Sequence, residues 1–431
     1  LGEHGQRVFE RELAARRGRP RQKVLEAGRV QARRRAGRAG RRQDEVAHRD
    51  RRLREIGHVQ IPEDRAGPVR RRIVRREPKL VVAISVDQFS TDLFNEYREN
   101  FTGGLKRLAG GITFPNGYQS HAATETCPGH STILTGSRPA RTGIIANSWF
   151  DPSTGRAGKD GKTDYGVYCS EDTSVEGSNS SNYTVSPNLL KVPTMGDRMR
   201  AINPASQVVA ISGKDRGAVM MGGHNTSLTM WWDGKSFRSY AASEAAVPKG
   251  AALVNSRAKA AIDKPAKVKL PAMCSSHSRA VGIGGDATVG TLQQRKAGDA
   301  RAFRASGDFD ALTMDLALAA FGEKKLGKGP ATDVLAISLS ATDYVGHTYG
   351  TAGAETCTQI AALDATLGRM FTALDKSKVP YVVMLTADHG GHARAGWQRR
   401  RDARGSQGQR KIPVRQRIAP RDLARLGHVR P

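Results

Sequence analysis

Four stretches of this 431-residue chain run from a short apolar segment straight into residues able to hold a metal ion or a phosphate. LVVAISVD ends at Asp87, QVVAISGKDR carries Lys214 and Arg216, VLAISLSATDYVGH carries Asp343 and His347, and YVVMLTADHGG brings Asp388 and His389. Carboxylates and imidazoles together suit zinc, which takes nitrogen and oxygen ligands in roughly tetrahedral sites. Asp343 and His347 stand four apart, so a helical turn would put both on one face, within reach of one ion; a helix-capping Asp with a surface His is the plainer alternative. Lys214 and Arg216, two apart, project to one side of an extended chain and offer a point charge beside a guanidinium that can grip two oxygens of a phosphoryl group. A fifth segment, ATETCPGHSTILTG, places Thr126, Cys127 and Pro128 where a helix begins, since proline is tolerated in a first turn. Thr126 would then lie among free backbone N–H groups at the positive end of the helix dipole, which favours an anion. Each pair alone also fits an ordinary turn; their shared place at strand ends points to one polar site for metal-assisted phosphoryl chemistry.

The elements that must position these residues follow from the same runs. Segments rich in Val, Ile and Leu read as strands buried on both faces, at whose carboxyl ends ligands gather. Amphipathic helices are expected over 308–327 and 354–376, the second with Ile360, Leu363, Leu367, Phe371 and Leu374 at three- and four-residue steps. Phe101 to Leu108 reads as one short helix. Strands alternating with helices predict an α/β fold, a doubly wound and mostly parallel sheet flanked by helices. Residues 151–188, rich in Gly, Ser, Thr and Asn without period, read as an insertion over the sheet, and 217–306 as a smaller inserted cap. The four cysteines, Cys127, Cys169, Cys274 and Cys357, lack the spacing of a zinc knuckle. In a secreted enzyme they would form two disulfides, and all three connectivities stay open. No apolar run approaches the roughly 20 residues that cross a bilayer, and no signal peptide is visible.

The formal net charge of +28 is concentrated at the ends: residues 1–77 and 392–431 hold 36 Lys and Arg against 13 Asp and Glu, which leaves +5 for 78–391. Both ends are dominated by Arg without periodicity, and read as disordered or as out-of-frame extensions of a G+C-rich gene. Polybasic arms that bind a polyanion are the rival reading. Neither arm interleaves aromatic residues with its arginines for base stacking, so no specific nucleic-acid partner is expected.

Taken in order, Asp87, Thr126-Cys127-Pro128-Gly129-His130, Asn147, Lys214-Asp215-Arg216, Asp343 with His347, and Asp388-His389-Gly390 resemble the alkaline phosphatase superfamily. The likeness is strongest to bacterial zinc-dependent alkaline phosphatases with a threonine nucleophile, relatives of the type I phosphodiesterase/nucleotide pyrophosphatases, and it spans nearly all of 78–391. It implies two zinc ions, one held by Asp87, Asp388, His389 and the Thr126 oxygen, the other by Asp343 and His347. It also implies that Asn147, Lys214 and Arg216 grip the phosphate oxygens, and that a small phosphate monoester is cleaved through a phosphothreonine intermediate at Thr126. Zinc would lower the pKa of the threonine hydroxyl. A phosphodiesterase or nucleotide pyrophosphatase is the alternative, and a periplasmic or secreted location is implied. The family completes the Asp343/His347 site with a distant histidine. Only His392 and His428 follow His389 here, neither in the family's pattern. A catalytic domain incomplete at its carboxyl end, with an exposed sheet edge and weak or absent activity, is therefore expected, and a non-catalytic remnant is the second alternative.

Overall fold

In a computed structural model the described residues are 77–391, apart from 115, 116, 159, 160, 285 and 286. The Arg-rich ends, and with them His392 and His428, lie outside the described residues. Six strands form the central sheet: β1 (Leu80–Val86), β2 (Val208–Ser212), β3 (Leu228–Trp232), β4 (Phe237–Ser239), β5 (Asp333–Leu339) and β6 (Tyr381–Thr386). Their order is β6-β1-β5-β2-β3-β4, every neighbouring pair being parallel except β3 with β4. The expected doubly wound, mostly parallel sheet is present.

Side-chain size sets how helices lie on the sheet. Ala83, Ala336 and Ala210 are in register across β1, β5 and β2. They form a low row on which Leu134 of α1 (Thr126–Thr135) and Met221 of α2 (Asp215–Gly222) pack closely. On the other face Val82, Ile84, Ile337 and Ile211 meet α3 (Gly307–Glu323) and α5 (Ala354–Ser377) in the main core. Between β5 and α5 lies α4 (Ala341–Tyr349). The helix expected over 308–327 stops at Glu323 because Lys324 caps it and Lys325 turns left-handed at φ 54°.

Two expectations change. The helix read over Phe101–Leu108 is a 3₁₀ turn at Arg98–Asn100 and a helix at Gly104–Ala109. The break arises because the carboxylate of Asp364 accepts from the Thr102, Gly103 and Leu105 amides at 2.8, 2.7 and 2.7 Å, which fixes the chain outside helical geometry at 102–103. The stretch read as a cap, 217–306, contributes β3 and β4 to the central sheet. Leu228–Trp232 is buried along its whole length, and Ala251, Val254 and Ala258 of the helix Gly250–Asp263 join the main core. Trp231 packs against Tyr240, and Trp232 against Phe237, Phe303 and Phe309. Residues 148–168 form two short hairpins apart from the central sheet, pairing Ser148–Phe150 with Gly166–Tyr168 and Arg156–Ala157 with Thr163–Asp164. The disulfides are Cys127–Cys169 and Cys274–Cys357.

Candidate active site at the carboxyl ends of the strands

Four adjacent strands deliver the site. Asp87 follows β1, Lys214 follows β2, Asp343 stands in the first turn of α4 just beyond β5, and Asp388 and His389 follow β6. Across from them Thr126 is the first residue of α1, with Glu125 extended as its N-cap. Glu125 accepts from the Asn147 backbone amide (2.8 Å), and the Asn147 side-chain carbonyl accepts from the Cys127 amide (2.8 Å). This reciprocal brace commits the Asn147 oxygen and leaves its NH₂ as the donor available beside Thr126. Helix α1 comes close because residue 129 is glycine: a Cβ there would stand 2.3 Å from the Asp388 backbone oxygen.

At the centre is Lys214, buried to 3% exposure. Its Nζ lies 2.6 Å from Asp87 Oδ2, 2.6 Å from Asp343 Oδ2 and 3.4 Å from Thr126 Oγ1. Burial opposes its charge, yet Asp87 and Asp343 hold the ammonium above its ordinary pKa. The expected extended geometry of the Lys-x-Arg pair applies to Lys214 alone (φ −134°, ψ 139°), which precedes α2 as its N-cap. Arg216 is already helical, and it turns away to Tyr168, whose hydroxyl receives Nη1 at 3.0 Å. Asp215 anchors that arrangement. It accepts from the hydroxyls of Tyr168 (2.9 Å), Tyr183 (2.9 Å) and Ser170 (3.3 Å) and from the Arg216 amide (2.7 Å).

The remaining oxygens of the cluster have the disposition of metal ligands. Asp87 and Asp343 each spend one oxygen, Oδ2, on Lys214; Oδ1 of Asp343 accepts from Gln88, and Oδ1 of Asp87 is left over. Asp87 Oδ1 and Asp388 Oδ2 are buried without a hydrogen bond among the described residues, although His389 Nε2 stands 3.2 Å from the first and His130 Nδ1 2.9 Å from the second. Such orphaned carboxylate oxygens are costly unless something positive joins them. Asp87, Asp343 and His389 form one set able to share an ion, and Asp87, His130 and Asp388 another. His389 Nδ1 lies 2.8 Å from the Gly390 carbonyl. Donation there leaves the Nε2 lone pair facing the carboxylates, the tautomer a metal requires. Burial works against a charged His389, but Asp87 and Asp388 outweigh it and push the imidazole up to about 9, whereas His130 helps bring Asp388 down to about 2 against its own burial.

His347 lies on α4 with Nε2 3.1 Å from Asp343 Oδ1, the i,i+4 contact expected, and its side chain is 71% exposed. Asp343 Oδ1 is also 3.9 Å from His389 Nε2, so the two expected ligand groups adjoin. Two contributors went unassigned in the sequence. His130, one turn after Thr126 and fully buried, has Nε2 2.8 Å from Ser338 Oγ of β5 and Nδ1 2.9 Å from the Thr126 carbonyl; its i,i+4 spacing was the available signal. Gln88 bridges the carboxylates, its amide N–H donating to Asp388 Oδ1 and its Nε2 to Asp343 Oδ1, both at 3.1 Å. Its backbone is left-handed at φ 64°, a conformation uncommon for a non-glycine residue.

Beyond Arg216 opens a cavity of about 580 Å³, walled by Tyr168, Tyr183, Trp231, Tyr240 and Tyr344.

A family model described as type I phosphodiesterase / nucleotide pyrophosphatase matches residues 81–394. The alkaline phosphatase PhoD of Zymomonas mobilis is 49% identical over 314 residues, 73% of this chain and 53% of that protein. PhoK of a Sphingomonas species, another alkaline phosphatase, is 53% identical over 328 residues, 75% of this chain and 57% of that one. A crystal structure of the alkaline phosphatase PafA superposes with a TM-score of 0.65 at 29% identity, covering 76% of this chain and 65% of that one. The chain thus spans little more than half the length of the curated relatives it matches.

Proposed function

The chain belongs to the type I phosphodiesterase / nucleotide pyrophosphatase family of the alkaline phosphatase superfamily, and on that premise we propose that it is a phosphoester hydrolase acting on small monoesters with Thr126 as nucleophile. The observation that carries this reading is the meeting of Thr126 Oγ1, Lys214 Nζ and the carboxylates of Asp87 and Asp343 within hydrogen-bonding distances at a helix N-terminus. The named relatives, which are alkaline phosphatases, support it.

Thr126 attacks phosphorus, its Oγ1 forming the new bond as the bond to the departing alcohol breaks, and water later releases phosphate from the phosphothreonine. Arg216 and the Asn147 amide receive the non-bridging oxygens, and Lys214, adjacent to Thr126, adds positive charge as negative charge builds on the transferring group. Asp87, Asp388 and His389, together with Asp343 and His347, would hold two divalent ions, zinc being the one suited to this nitrogen and oxygen set. Those ions would supply Lewis acidity, lowering the pKa of the Thr126 hydroxyl and offsetting charge on the leaving oxygen. His130 fixes Asp388, and Gln88 fixes Asp388 and Asp343. Two cations at one site, Lys214 and an Arg216 held by the Tyr168 hydroxyl, favour a monoester, whose dianion offers more charge than a diester. No helix among the described residues is long and apolar enough to cross a membrane, and the two disulfides support a location outside the cytoplasm.

The test is hydrolysis of p-nitrophenyl phosphate by the full chain supplied with zinc. Turnover abolished by Thr126→Ala, with bis(p-nitrophenyl) phosphate a much poorer substrate, is expected. Turnover that survives Thr126→Ala ends the nucleophile assignment, and a preference for the diester ends the monoester one.

A further inference from the structure

The cavity beyond Arg216 is charged in a way that gripping one phosphoryl group does not require. Lys214, Arg216, Arg238 and Arg304 line it against the carboxylates of Asp215 and Asp233. Asp215 is occupied by hydroxyls and a backbone amide, as described above, and Arg238 is paired with Asp233 at 3.7 Å. Arg304 differs. Among the described residues its guanidinium is paired with no carboxylate and is placed over the Tyr344 ring, 5.0 Å from the centroid. Arg295 is matched to Asp308, and both Arg257 and Arg369 to Asp315, whereas the ring-only arrangement recurs at Arg98, over Phe94 and away from the site. A ring face holds a cation in place without neutralising it, so Arg304 keeps its full charge for a ligand.

Its position relative to the reacting centre is fixed by the same ring. Lys214 Nζ also lies 5.0 Å from the Tyr344 centroid, so the two cationic centres are at most twice that distance apart. A second anionic group a few bonds from the phosphoryl ester can reach Arg304 while the phosphoryl group stays at Lys214 and Arg216. Tyr168 and Tyr183, with ring centroids 4.5 Å apart, and Trp231 and Tyr240, 5.0 Å apart, supply aromatic surface for a flat leaving group.

We propose that this cavity is a second anion subsite, with Arg304 as its cation, which selects phosphate monoesters that carry another negatively charged group on a flat leaving group. The inference rests on the monoester reading above and names the substrate class for the same site. Arg304 contributes binding of the distal anion and takes no part in bond making or breaking.

The experiment is calorimetric binding of 4-carboxyphenyl phosphate and of its methyl ester, a matched pair that differs in one charge, to the zinc-supplemented full chain carrying Thr126→Ala to prevent turnover. The carboxylate ligand should bind roughly three- to tenfold more tightly than the ester, the range of a partly exposed charge pair. Adding Arg304→Gln should bring the ratio to about one, and Arg304→Lys should restore part of it. A ratio is insensitive to loss of folded protein, because both ligands see the same folded fraction. Equal binding of the two ligands, or a ratio unchanged by Arg304→Gln, overturns the subsite and leaves the monoester reading standing. Equal weakening of both ligands by Arg304→Gln makes Arg304 a source of general attraction and also overturns the proposal. If neither ligand binds, the monoester reading fails and the subsite fails with it.

Discussion

Substituting Gly129 by alanine should separate α1, the helix that Thr126 begins, from the strand that carries Asp388. In an isolated helix the change is favourable by roughly 1 kcal/mol, because glycine loses more backbone freedom on folding. Here the added Cβ would meet the Asp388 backbone oxygen at 2.3 Å and its carbonyl carbon at 2.7 Å, where ordinary contact begins at 3.4 Å. About 1.1 Å must open, the difference between 3.4 and 2.3 Å, and no side chain can rotate aside because both atoms are backbone. Overpacking of this kind costs roughly 1–3 kcal/mol, so the net loss after the helix gain is about 0–2 kcal/mol. The activity effect should be larger, since a displacement of about 1 Å between the proposed nucleophile Thr126 and the proposed ligand Asp388 costs on the order of 100-fold in kcat. Turnover of p-nitrophenyl phosphate and the urea midpoint would be measured side by side. Gly322→Ala, near the end of α3 where an added Cβ meets nothing within 4 Å, is the matched control and should be neutral or stabilising. A Gly129→Ala protein with kcat within about threefold of wild type refutes the reasoning, because the helix and Asp388 would then not approach this closely in the working state.

Zinc affinity should rise with pH up to about 9 and then level. His389 is raised to about 9 from 6.5 and must lose its proton to bind metal, so a flat affinity between pH 6.5 and 9 in competition titrations contradicts the placement. The same shift means that the stabilisation the charged imidazole gives the metal-free fold is complete below 6.5 and disappears as pH rises through about 9, which urea titrations of chelator-treated protein would follow. Tyr168→Phe removes the hydroxyl that accepts from Arg216, so KM and the inhibition constant for inorganic phosphate should both rise severalfold with little change in thermal midpoint; unchanged constants would show that Arg216 needs no such support. Asp364→Ala strands three backbone amides and should lower stability by roughly 2–4 kcal/mol in urea unfolding, and a loss under 1 kcal/mol would mean those amides find other partners.

The frame was legible wherever a physical pattern is local. Runs such as LVVAISV and VLAISL are too apolar for anything but strands covered on both faces, and Pro128 marks the start of α1 through its missing N–H. The charged residues that end those runs were legible too, because a strand end is where a parallel sheet presents polar groups. What escaped depends on contacts far apart in the chain. Trp231 and Trp232 gave no strand signal until the aromatic side chains that cover them, Tyr240 for one and Phe303 and Phe309 for the other, were known, and the break before Gly104 is caused by a carboxylate more than 250 residues away. Arg216 departs from the expected side because α2 begins one residue earlier than an extended chain would allow. Gln88 carries no chemical mark in sequence, and the pairing of the four cysteines is a property of the folded chain.

Strand β6 is hydrogen-bonded on one flank only among the described residues, with Val382 47% and Met384 39% exposed, and it delivers both Asp388 and His389. Asp87, by contrast, hangs from β1, which is paired on both flanks. Any cation that spans Asp87 and Asp388 therefore clasps an edge strand of the sheet to one paired on both flanks. Fraying of that strand and escape of the cation become one thermodynamic event, so the amide exchange of Val382 and Met384, whose N–H groups face β1, reads out occupancy directly. Chelation would loosen the fold first at this border, while β5 and β2 stay protected.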